Sequence, residues 1–554
     1  MNATPAAPRA LFFIGGRNPV AKPGSVEEMG FKASNLAAMA AAGLPVPQAF
    51  VLSTRFASRF QEATGGAPGE LRDALAEGVR HIERESRLCF GGRRRPLLVS
   101  VRSGAPVSMP GMMETVLDVG VNDVTVEAII RSTGNPRLAW DCYRRLVQGF
   151  AEVVHECPAH PFAARLDACL AECGAASTRE IDFRSLAALT RDFLSLFEEH
   201  TGSPFPQDPL QQLEAAALAV IRSWQGAKAA SYRRARGIDD GLGTAVTVQR
   251  MVFGNAGGLS GAGVAFSRDP STGANGLYMD FLFNAQGEDV VSGRHALEAE
   301  VPLGRLLPDT LSELEGVSRA LELQFRDAQE FEFTIEDATL FLLQTRSAKR
   351  TSWASLRIAV EQVEAGLISA QEGLARLAGV DLEHVEELAF ARPAELDLLA
   401  DAVTAGIGIA VGRIALDVEA AQRLAADGDE VVLLRHETAT SDIDGIVACA
   451  GILTAVGGRT SHAAVVARQL GKVCLVGCSE LVLDLPARCC RIAGRVLAEG
   501  DWLCLDGHSG RVFAGQPALL RRRPSEWLQL VAGWQRACSA MPGQEAGGVV
   551  QEAA

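Results

Sequence analysis

The alternation of strand-like and helix-like segments along this 554-residue chain limits its fold more than any other feature. A short apolar run at Ala10–Ile14 predicts a strand, whereas the long amphipathic segments of residues 120–235 predict helices. Strands return between residues 245 and 344, helices dominate 352–398, and both types mix over 399–516. The sequence therefore predicts a multidomain α/β protein.

The predicted domains follow from these changes. We expect a large α/β domain over residues 1–351 with a helical insertion at about 120–235, a helical linker over 352–398, a compact swivel-sized α/β domain over 399–516, and a terminal linker helix with a polar, disordered tail over 517–554.

Charge and composition exclude several functional classes. The net charge of -14 argues against sequence-independent binding to nucleic acid or to an anionic membrane, because both need a basic surface. The first residues show neither a basic leader nor an apolar stretch of signal-peptide length, so we expect no signal peptide, and no apolar run is long enough for a membrane span. The cysteines lack paired metal-ligand spacing, so we expect buried, reduced thiols and a cytoplasmic location.

His462 lies in GRTSHAAVVARQLGK, where a helix is expected to begin. Thr460 and Ser461 are favourable N-cap residues, Ala463–Leu470 is apolar enough for a short helix, and Gly471 is a natural C-terminal stop. The positive end of a helix disfavours imidazolium and attracts anions, which leaves a neutral ring able to attack phosphorus. The alternative is a packed or hydrogen-bonding histidine without chemistry.

Basic and glycine residues near the N-terminus offer a site for phosphates. Arg102 ends an apolar strand and is followed by a loop with Gly104 and Gly111, whose backbone could approach phosphate oxygens closely. Lys32 precedes a helix that ends at Gly43. A surface turn and a solvated lysine are the alternatives.

The stretch EFEFTIEDATLFLLQTR predicts a hairpin with one polar face. Its alternation places Glu330 and Glu332 on one side of the first strand, and Gln344 and Arg346 on one side of the second. With an odd-length loop such as Asp337-Ala338-Thr339, Glu332 would lie opposite Gln344, and Glu330 opposite Arg346. Such a surface suits Mg²⁺ and a triphosphate. An exposed, ion-paired sheet face is the alternative.

The segment GGRTSHAAVVARQLGKVCLVGC resembles the phosphohistidine segment of the pyruvate, phosphate dikinase family of PEP-utilising enzymes. The similarity extends upstream to VVLLRHETATSDIDGIVACAGILT and downstream to GDWLCLDGHSGRV. The resemblance implies that the domain over residues 399–516 swivels and that His462 carries a phosphoryl group. It also matches Thr460 to a threonine that is a regulatory phosphorylation target in some family members.

The first domain resembles the ATP-grasp-type nucleotide domain of the same family. The similarity is carried by SVRSGAPVSMPGMMETVLDVGVND, TAVTVQRMVFGN, GVAFSRDPSTG and FNAQGEDVVSG. It implies ATP and Mg²⁺ as cofactors, with Arg346 assisting transfer and backbone near residues 249–252 meeting adenine. The nucleotide ligands implied are Lys32, Arg102, Gly111, Gln249, Met251, Glu332 and Gln344, and the metal ligands are Glu330, Glu332 and Gln344.

Two features of the sequence depart from the family pattern. Glu330 stands where aspartate is usual, which shifts a bound metal by about one methylene. The glycine-rich GGKGAN is replaced by GFKASN, so Phe31 and Ala33 occupy the places of flexible glycines around Lys32.

The resemblance implies a reaction in which ATP, with inorganic phosphate, phosphorylates His462 and yields AMP and pyrophosphate. Onward transfer towards pyruvate or phosphoenolpyruvate needs a β/α barrel, and we expect that barrel to be missing here and supplied by a separate protein. Alone, the chain is then expected to catalyse only the ATP and phosphate half-reactions.

Two alternatives remain open from the sequence. One is a phosphohistidine kinase with another acceptor, such as an antibiotic kinase of the rifampin type, although the segment of about fifty residues between the domains is too short for its own ligand cavity. The other is a non-catalytic regulator or binding partner of a full-length dikinase, which the changed Lys32 loop would favour.

Overall fold

The computed structural model of the chain describes residues 10–16, 24–61, 69–107, 109, 113–175, 177–291, 303–438, 442–457, 464, 466–467 and 470–539. The chain forms two compact units, Met1–Gly261 with Glu332–Arg346, and Ala262–Phe331 with Ser347–Ala554. The sequence predicts a single domain up to residue 351, because the strand-like segments end near Arg350, and that boundary stays a prediction.

An antiparallel sheet organises the first unit. The strands of this part are β1 (Leu11–Ile14), β2 (Ala49–Leu52), β3 (Cys89–Phe90), β4 (Pro96–Leu97), β5 (Val99–Gly104), β6 (Thr115–Val119) and β7 (Ala245–Arg250). Five of them form one sheet in the order β1-β2-β7-β5-β6, so that β7 lies at the centre. Because the helical segment follows β6 and precedes β7 in sequence, it is an insertion between an edge strand and the central strand of this sheet.

The helices of the first unit pack against the sheet and form the insertion. They are α1 (Val26–Met29), α2 (Phe31–Ala41), α3 (Thr54–Ser58), α4 (Glu70–Ser86), α5 (Asp123–Thr133), α6 (Pro136–Val154), α7 (His160–Cys173), α8 (Phe183–Thr201), α9 (Pro209–Ser223) and α10 (Ala227–Arg236). Local capping sets their ends: Asn122 accepts the amides of Val124 and Thr125 at the start of α5, and left-handed Gly134 ends it. The predicted helical insertion is present.

The two faces of the sheet differ in chemistry. Phe50, Leu52, Val246 and Val248 are fully buried in an apolar core that extends into α4, α6, α8 and α9. Alternate residues point to the other side. On that side Arg102 lies opposite Thr247, and Ser100 lies opposite Gln249.

The alternating stretch forms a hairpin, as predicted, but its loop is shorter than expected. The next strands along the chain are β8 (Gly261–Arg268), β9 (Asn275–Phe283), β10 (Gln329–Glu336) and β11 (Thr339–Ser347). Only Asp337 and Ala338 separate β10 from β11, with φ of 47° and 60°. Two left-handed residues are the signature of a two-residue type I′ turn, so the expected three-residue loop is wrong.

A two-residue turn places Glu336 opposite Thr339. The pairing next to the turn is then shifted by one residue from the pairing that a three-residue loop would give. Burial along β11 does not alternate regularly. Leu340, Leu342 and Thr345 are the buried positions, so the spacing is two residues and then three. Gln344 and Arg346, on either side of Thr345, are both half-buried.

The second unit contains the remaining elements. Its further helices are α11 (Gly287–Val291), α12 (Leu303–Leu306), α13 (Pro308–Phe325), α14 (Ser352–Glu364), α15 (Ala370–Arg376), α16 (Val418–Ala426), α17 (Ile443–Ala448) and α18 (Ser525–Ser539). Its further strands are β12 (Glu387–Phe390), β13 (Asp397–Asp401), β14 (Val403–Gly406), β15 (Ile409–Ala415), β16 (Val431–Arg435), β17 (Gly451–Thr454), β18 (Val473–Val476), β19 (Leu481–Asp484), β20 (Cys489–Ile492), β21 (Arg495–Ala498), β22 (Trp502–Asp506), β23 (Arg511–Ala514) and β24 (Leu519–Arg522).

The predicted helical linker over residues 352–398 is only partly helical. It begins with α14 and α15, but β12 follows and pairs antiparallel with β24. The expected hairpin of β22 and β23 is present, with Asp506 opposite Arg511. Sequence analysis missed β12 because its partner lies more than one hundred residues away along the chain.

A mixed sheet forms the core of the second unit, in the order β13-β23-β22-β15-β16-β17-β18-β14. Strands β15 to β18 are parallel, so their carboxyl ends share one edge. The connection from β17 to β18 leaves from that edge, where open α/β sheets bind ligands. It contains residue 462 by sequence, and within its described part Ala464, Val466 and Ala467 are helical.

Two general expectations can be examined over the whole described chain. All twelve cysteines lie within the described residues, and each is a free thiol. Among the same residues, no helix combines the length and the apolar character that crossing a membrane requires.

Candidate functional site

The helix that carries Lys32 rests directly on the strand that carries Arg102. Gly30 is the N-cap residue of α2 and has φ of 75°. A Cβ atom at Gly30 would lie 1.9 Å from the carbonyl oxygen of Gly104. The next amide, of Phe31, donates to the carbonyl of Ala105 at 2.9 Å. Only glycine permits this approach, which fixes the first turn of α2 beside the end of β5.

The two substituted positions around Lys32 are compatible with this arrangement. Phe31 and Ala33 both lie within α2, and neither has a positive φ. Ala33 is fully buried, so its methyl group packs in the interior. Glycine is therefore not needed at either position for the helical backbone seen here, whereas it is needed at Gly30.

The hairpin is attached to the same helix and to the segment after it. Asn35 of α2 donates from Nδ2 to the carbonyl of Thr345 at 2.9 Å. The amide of Leu342 donates to the carbonyl of Pro45 at 2.7 Å. Both bonds involve β11, which is the edge strand of its sheet and therefore has outward backbone groups to share.

These attachments bring four predicted residues into one electrostatic environment. Burial among protein atoms lowers the pKa of Lys32 to about 8, and the nearby guanidinium groups of Arg102 and Arg346 lower it further, whereas Glu332 opposes the shift. Lys32 nevertheless keeps an exposed surface, so water screens part of the repulsion. Three cationic groups and one carboxylate therefore form a positively charged site.

Buried polar atoms without partners lie on the same side of the five-stranded sheet. Gln249 and Thr247 are 3% and 4% exposed. Neither Nε2 of Gln249 nor Oγ1 of Thr247 has a hydrogen-bond partner among the described residues. Such atoms are costly to bury unpaired. Gln249 was a predicted nucleotide ligand, and its unpaired amide fits that role, since a bound nucleotide offers acceptors.

Hydrogen bonds within the protein limit which backbone groups after β7 remain available to a base. The amides of Arg250 and Met251 donate to the carbonyls of Gln48 and Leu98, at 2.8 Å and 2.9 Å. The amide of Met251, a predicted ligand, is therefore already paired. Val252 has no hydrogen bond from its amide or carbonyl among the described residues, which makes Val252 the better candidate for backbone contact with a base.

The carboxylates suit a metal that is shared with phosphates. Glu330 and Glu332 lie two residues apart in β10, and both are half-buried, as is Gln344 in β11. No group of three or more His, Cys, Asp or Glu side chains in the described residues is arranged to hold a metal ion. Mg²⁺ is commonly held by one or two carboxylates together with substrate phosphates, so this donor set fits Mg²⁺ bound with a nucleotide.

An ion pair at the tip of the hairpin was not predicted from the sequence. The guanidinium of Arg250 lies 3.6 Å from the carboxylate of Glu336 and 5.5 Å from the ring centre of Phe341. Glu336 also accepts the amide of Phe253 at 3.1 Å. Burial raises the pKa of Glu336, although Arg250 opposes this. The pair joins the end of β7 to the hairpin, and no local pattern could reveal it because its members are 86 residues apart.

We expect Glu336→Ala to loosen the hairpin. The substitution leaves the amide of Phe253 without its acceptor and removes the anionic partner of Arg250, which keeps its bond to Gln48, at a cost of about 1–3 kcal/mol. Hydrogen exchange of amides in β10 and β11 should then become about tenfold faster or more. Glu395→Ala is the control, since it removes an exposed pair with Arg392. Exchange in the hairpin that matches this control would show that Glu336 does not anchor it.

Three predicted residues lie outside the described residues, namely Gly111, Thr460 and His462. Their roles stay predictions from the sequence. The described flank of His462 agrees with the expected end of its helix, because Gly471 has φ of 63° and the amide of Lys472 donates to the carbonyl of Ala467 at 2.8 Å.

Comparison with known proteins matches two parts of the chain to described domain families. Residues 65–299 match the pyruvate phosphate dikinase AMP/ATP-binding domain. Residues 427–510 match the mobile domain of PEP-utilising enzymes. The first match contains Arg102, Gly111, Gln249 and Met251, and the second contains His462.

The chain is also similar to curated dikinases over most of its length. It is 41% identical to pyruvate, phosphate dikinase of Clostridium symbiosum over 491 residues, which cover 88% of this chain and 56% of that protein. Identity to pyruvate, phosphate dikinase of Rhizobium meliloti (strain 1021) is 40% over 533 residues, covering 94% and 59%. Pyruvate, phosphate dikinase 2 of Zea mays is 40% identical over 495 residues, covering 89% and 56%.

The chain therefore spans less than two thirds of the length of these dikinases. The matches support the sequence resemblance to the dikinase nucleotide-binding and mobile domains. The individual site residues and the expected domain boundaries remain predictions.

Proposed function

We propose that this protein uses ATP to phosphorylate His462, in the manner of a pyruvate, phosphate dikinase. The observation that carries the proposal is the environment of Lys32, whose ammonium group lies close enough to two guanidinium groups and one carboxylate for their charges to shift its pKa. Protein groups of like charge repel one another, so their convergence suits a polyanion that neutralises them. The match of residues 65–299 to an AMP/ATP-binding domain supports ATP as this polyanion.

Each side chain has a proposed role in holding the nucleotide. Lys32 and Arg102 bind phosphate oxygens, the latter as a planar fork. Arg346 stabilises the charge that develops on the phosphoryl group during transfer. Gln249 contributes its unpaired amide, and Val252 offers its backbone to the base. Gly111, in the loop after β5, is proposed to bring its amide to the phosphates.

Glu330, Glu332 and Gln344 would hold Mg²⁺, which neutralises phosphate charge and keeps the reacting oxygens in line. Glu330 has a longer side chain than the aspartate expected there, and its carboxylate would still be able to bind Mg²⁺. We propose that this changes the rate more than the identity of the metal.

The proposed step transfers the β-phosphoryl group. The neutral imidazole of His462 attacks the β-phosphorus, its bond to the oxygen bridging to the α-phosphorus breaks, and AMP leaves with that oxygen. Inorganic phosphate then accepts the γ-phosphoryl group and leaves as pyrophosphate, so that phospho-His462 remains. A nitrogen nucleophile divides one difficult transfer into two easier ones.

Onward transfer completes the proposal. Phospho-His462 would pass its phosphoryl group towards pyruvate after the mobile domain swings away from the nucleotide. Such a motion is a gating step and not part of the chemistry. Thr460, two residues before His462, is proposed as a site where phosphorylation would block the transfer by charge repulsion.

A single-turnover measurement tests this function. Purified chain, ATP, Mg²⁺ and phosphate are mixed without pyruvate, and AMP and pyrophosphate are counted. We expect about one AMP per active chain, because the phosphohistidine cannot discharge. Production of ADP alone would contradict the proposal, since ADP requires transfer of the γ-phosphoryl group to another acceptor.

Lys32 gives nucleotide binding a predictable pH dependence. Its pKa is lowered to about 8 in the free chain, whereas bound phosphates stabilise the ammonium and raise the pKa. Binding above pH 8 therefore takes up a proton. Affinity for ATP should be flat below about pH 8 and should fall above it, by up to about tenfold per pH unit.

Titration calorimetry in EDTA from pH 7 to pH 10 measures this dependence without a metal. Lys32→Arg is the matched variant, because arginine stays charged throughout this range. Its affinity should lose the decline above pH 8. A decline of equal size in both proteins would assign the titration to another group.

A further inference from the structure

Asn35 links α2 with β11, two elements whose side chains are proposed to act on the phosphates. It follows Lys32 by three residues in α2, so the two side chains share one side of the helix. Its Nδ2 donates to the carbonyl of Thr345 at 2.9 Å. Gln344 and Arg346 are the neighbours of Thr345 in β11, one on each side.

The acceptor is held firmly in the strand. Thr345 is 1% exposed, whereas Gln344 and Arg346 are half-buried. Three residues before it, the amide of Leu342 donates to the carbonyl of Pro45. The segment that follows Asn35 along the chain is therefore bonded to β11 at a second point, and the strand cannot slide along α2 while both bonds persist.

The start of α2 is fixed to the backbone at the end of β5. Gly30 touches the carbonyl of Gly104, and the amide of Phe31 donates to that of Ala105. One short helix is thus bonded to the strand of Arg102 at its first residue and to the strand of Arg346 one turn later. The bonds on α2 hold together groups that would otherwise repel one another.

We propose that Asn35 is a positioning residue, which sets the distance of Gln344 and Arg346 from Lys32 and Arg102. It need not touch the nucleotide. The inference rests on the proposed function, because a fixed distance matters only if these side chains act on one substrate. Misplacement of a reacting group by about 1 Å can slow a reaction about a hundredfold.

Asn35→Asp tests the proposal with little change of shape. A carboxylate cannot donate to a carbonyl, so the bond to Thr345 is lost. At saturating ATP, Mg²⁺ and phosphate, we expect formation of phospho-His462 to slow by about tenfold to a hundredfold. The KM for ATP should change by about threefold or less, since Lys32 and Arg102 remain in place. Hydrogen exchange in peptides covering residues 339–347 should rise.

Asn122→Asp is the matched control. It removes a comparable bond, from Nδ2 of Asn122 to the carbonyl of Gln207 at 2.8 Å, in the helical insertion, and keeps the capping oxygen. The control should leave both the rate and the exchange of residues 339–347 unchanged. Asn35→Ala serves as a second variant, because it removes the donor without adding charge, and melting curves verify that each variant is folded.

The outcomes separate the two proposals. Absence of phosphohistidine in the unsubstituted protein would reject the proposed function itself. An active unsubstituted protein with Asn35→Asp and Asn35→Ala as fast as Asn122→Asp would overturn the role of Asn35. A slow rate in both Asn35 variants, with KM nearly unchanged and exchange raised, supports it.

Discussion

Replacement of His462 by alanine should abolish covalent phosphorylation of the protein. The proposed reaction ends with phosphorus bound to an imidazole nitrogen, and alanine offers no nucleophile. We expect the acid-labile, base-stable phosphate of the unsubstituted protein to disappear, which is a loss of about a thousandfold or more in rate. Binding of ATP should persist, because the proposed nucleotide ligands lie elsewhere in the chain.

His508→Ala is the matched control for this experiment. His508 is an exposed histidine in the turn between β22 and β23, within the same compact unit as residue 462. Its replacement should leave phosphorylation unchanged. Undiminished acid-labile label in His462→Ala would contradict the proposed function, and loss of label in both variants would show that the assay reports damage to the domain.

Arg346→Gln should give the second largest effect. Arg346 is one of the two guanidinium groups that lower the pKa of Lys32, so it lies close to where phosphates are proposed to bind. Its charge is proposed to act mainly as charge develops during transfer. An arginine in this role contributes about 10³-fold or more to the rate. We expect phosphorylation of His462 to slow by about a hundredfold to a thousandfold, with a smaller loss in ATP affinity.

Rapid-quench measurement of phospho-His462 at saturating ATP provides the rate. Arg392→Gln is a suitable control, because Arg392 is exposed and pairs only loosely with Glu395, at 3.4 Å. Arg346→Lys should recover part of the rate, since it restores the charge without the planar fork. A rate for Arg346→Gln equal to that of the control would remove Arg346 from the proposed mechanism.

Local patterns in the sequence predicted much of the fold. The alternation around Glu332 predicted a hairpin, the amphipathic segments predicted the helices between α5 and α10, and Asp506–Gly510 predicted the turn of a second hairpin. These features depend on residues close together in the chain. They could therefore be recognised without knowledge of the tertiary structure.

Features that depend on distant residues were not predictable in this way. The bond from Asn35 to Thr345 spans 310 residues, and β12 exists because β24 pairs with it. The hairpin turn is a subtler case, since Ala338 adopts a left-handed conformation that alanine rarely takes. Its sequence favoured neither a two-residue nor a three-residue loop, and tertiary contacts decided between them.

The candidate site also combines features that local patterns predict with features that only the folded chain reveals. Lys32, Arg102, Glu332 and Arg346 were selected from local motifs and from resemblance, and the structure brings them into one environment. The resemblance also implied backbone contact with adenine over residues 249–252. Only the structure showed that the amide of Met251 is already paired and that the amide of Val252 has no partner in the part of the chain that the structure describes. Hydrogen-bond pairing is a property of the folded chain.

Position-specific labelling of ATP tests the central claim most directly. The unsubstituted protein is incubated with Mg²⁺, inorganic phosphate and ATP labelled at either the β- or the γ-phosphorus, and acid-labile radioactivity on the chain is measured. We expect label from β-labelled ATP and almost none from γ-labelled ATP. Label from the γ-position alone would contradict it, because the chain would then be an ordinary kinase that releases ADP.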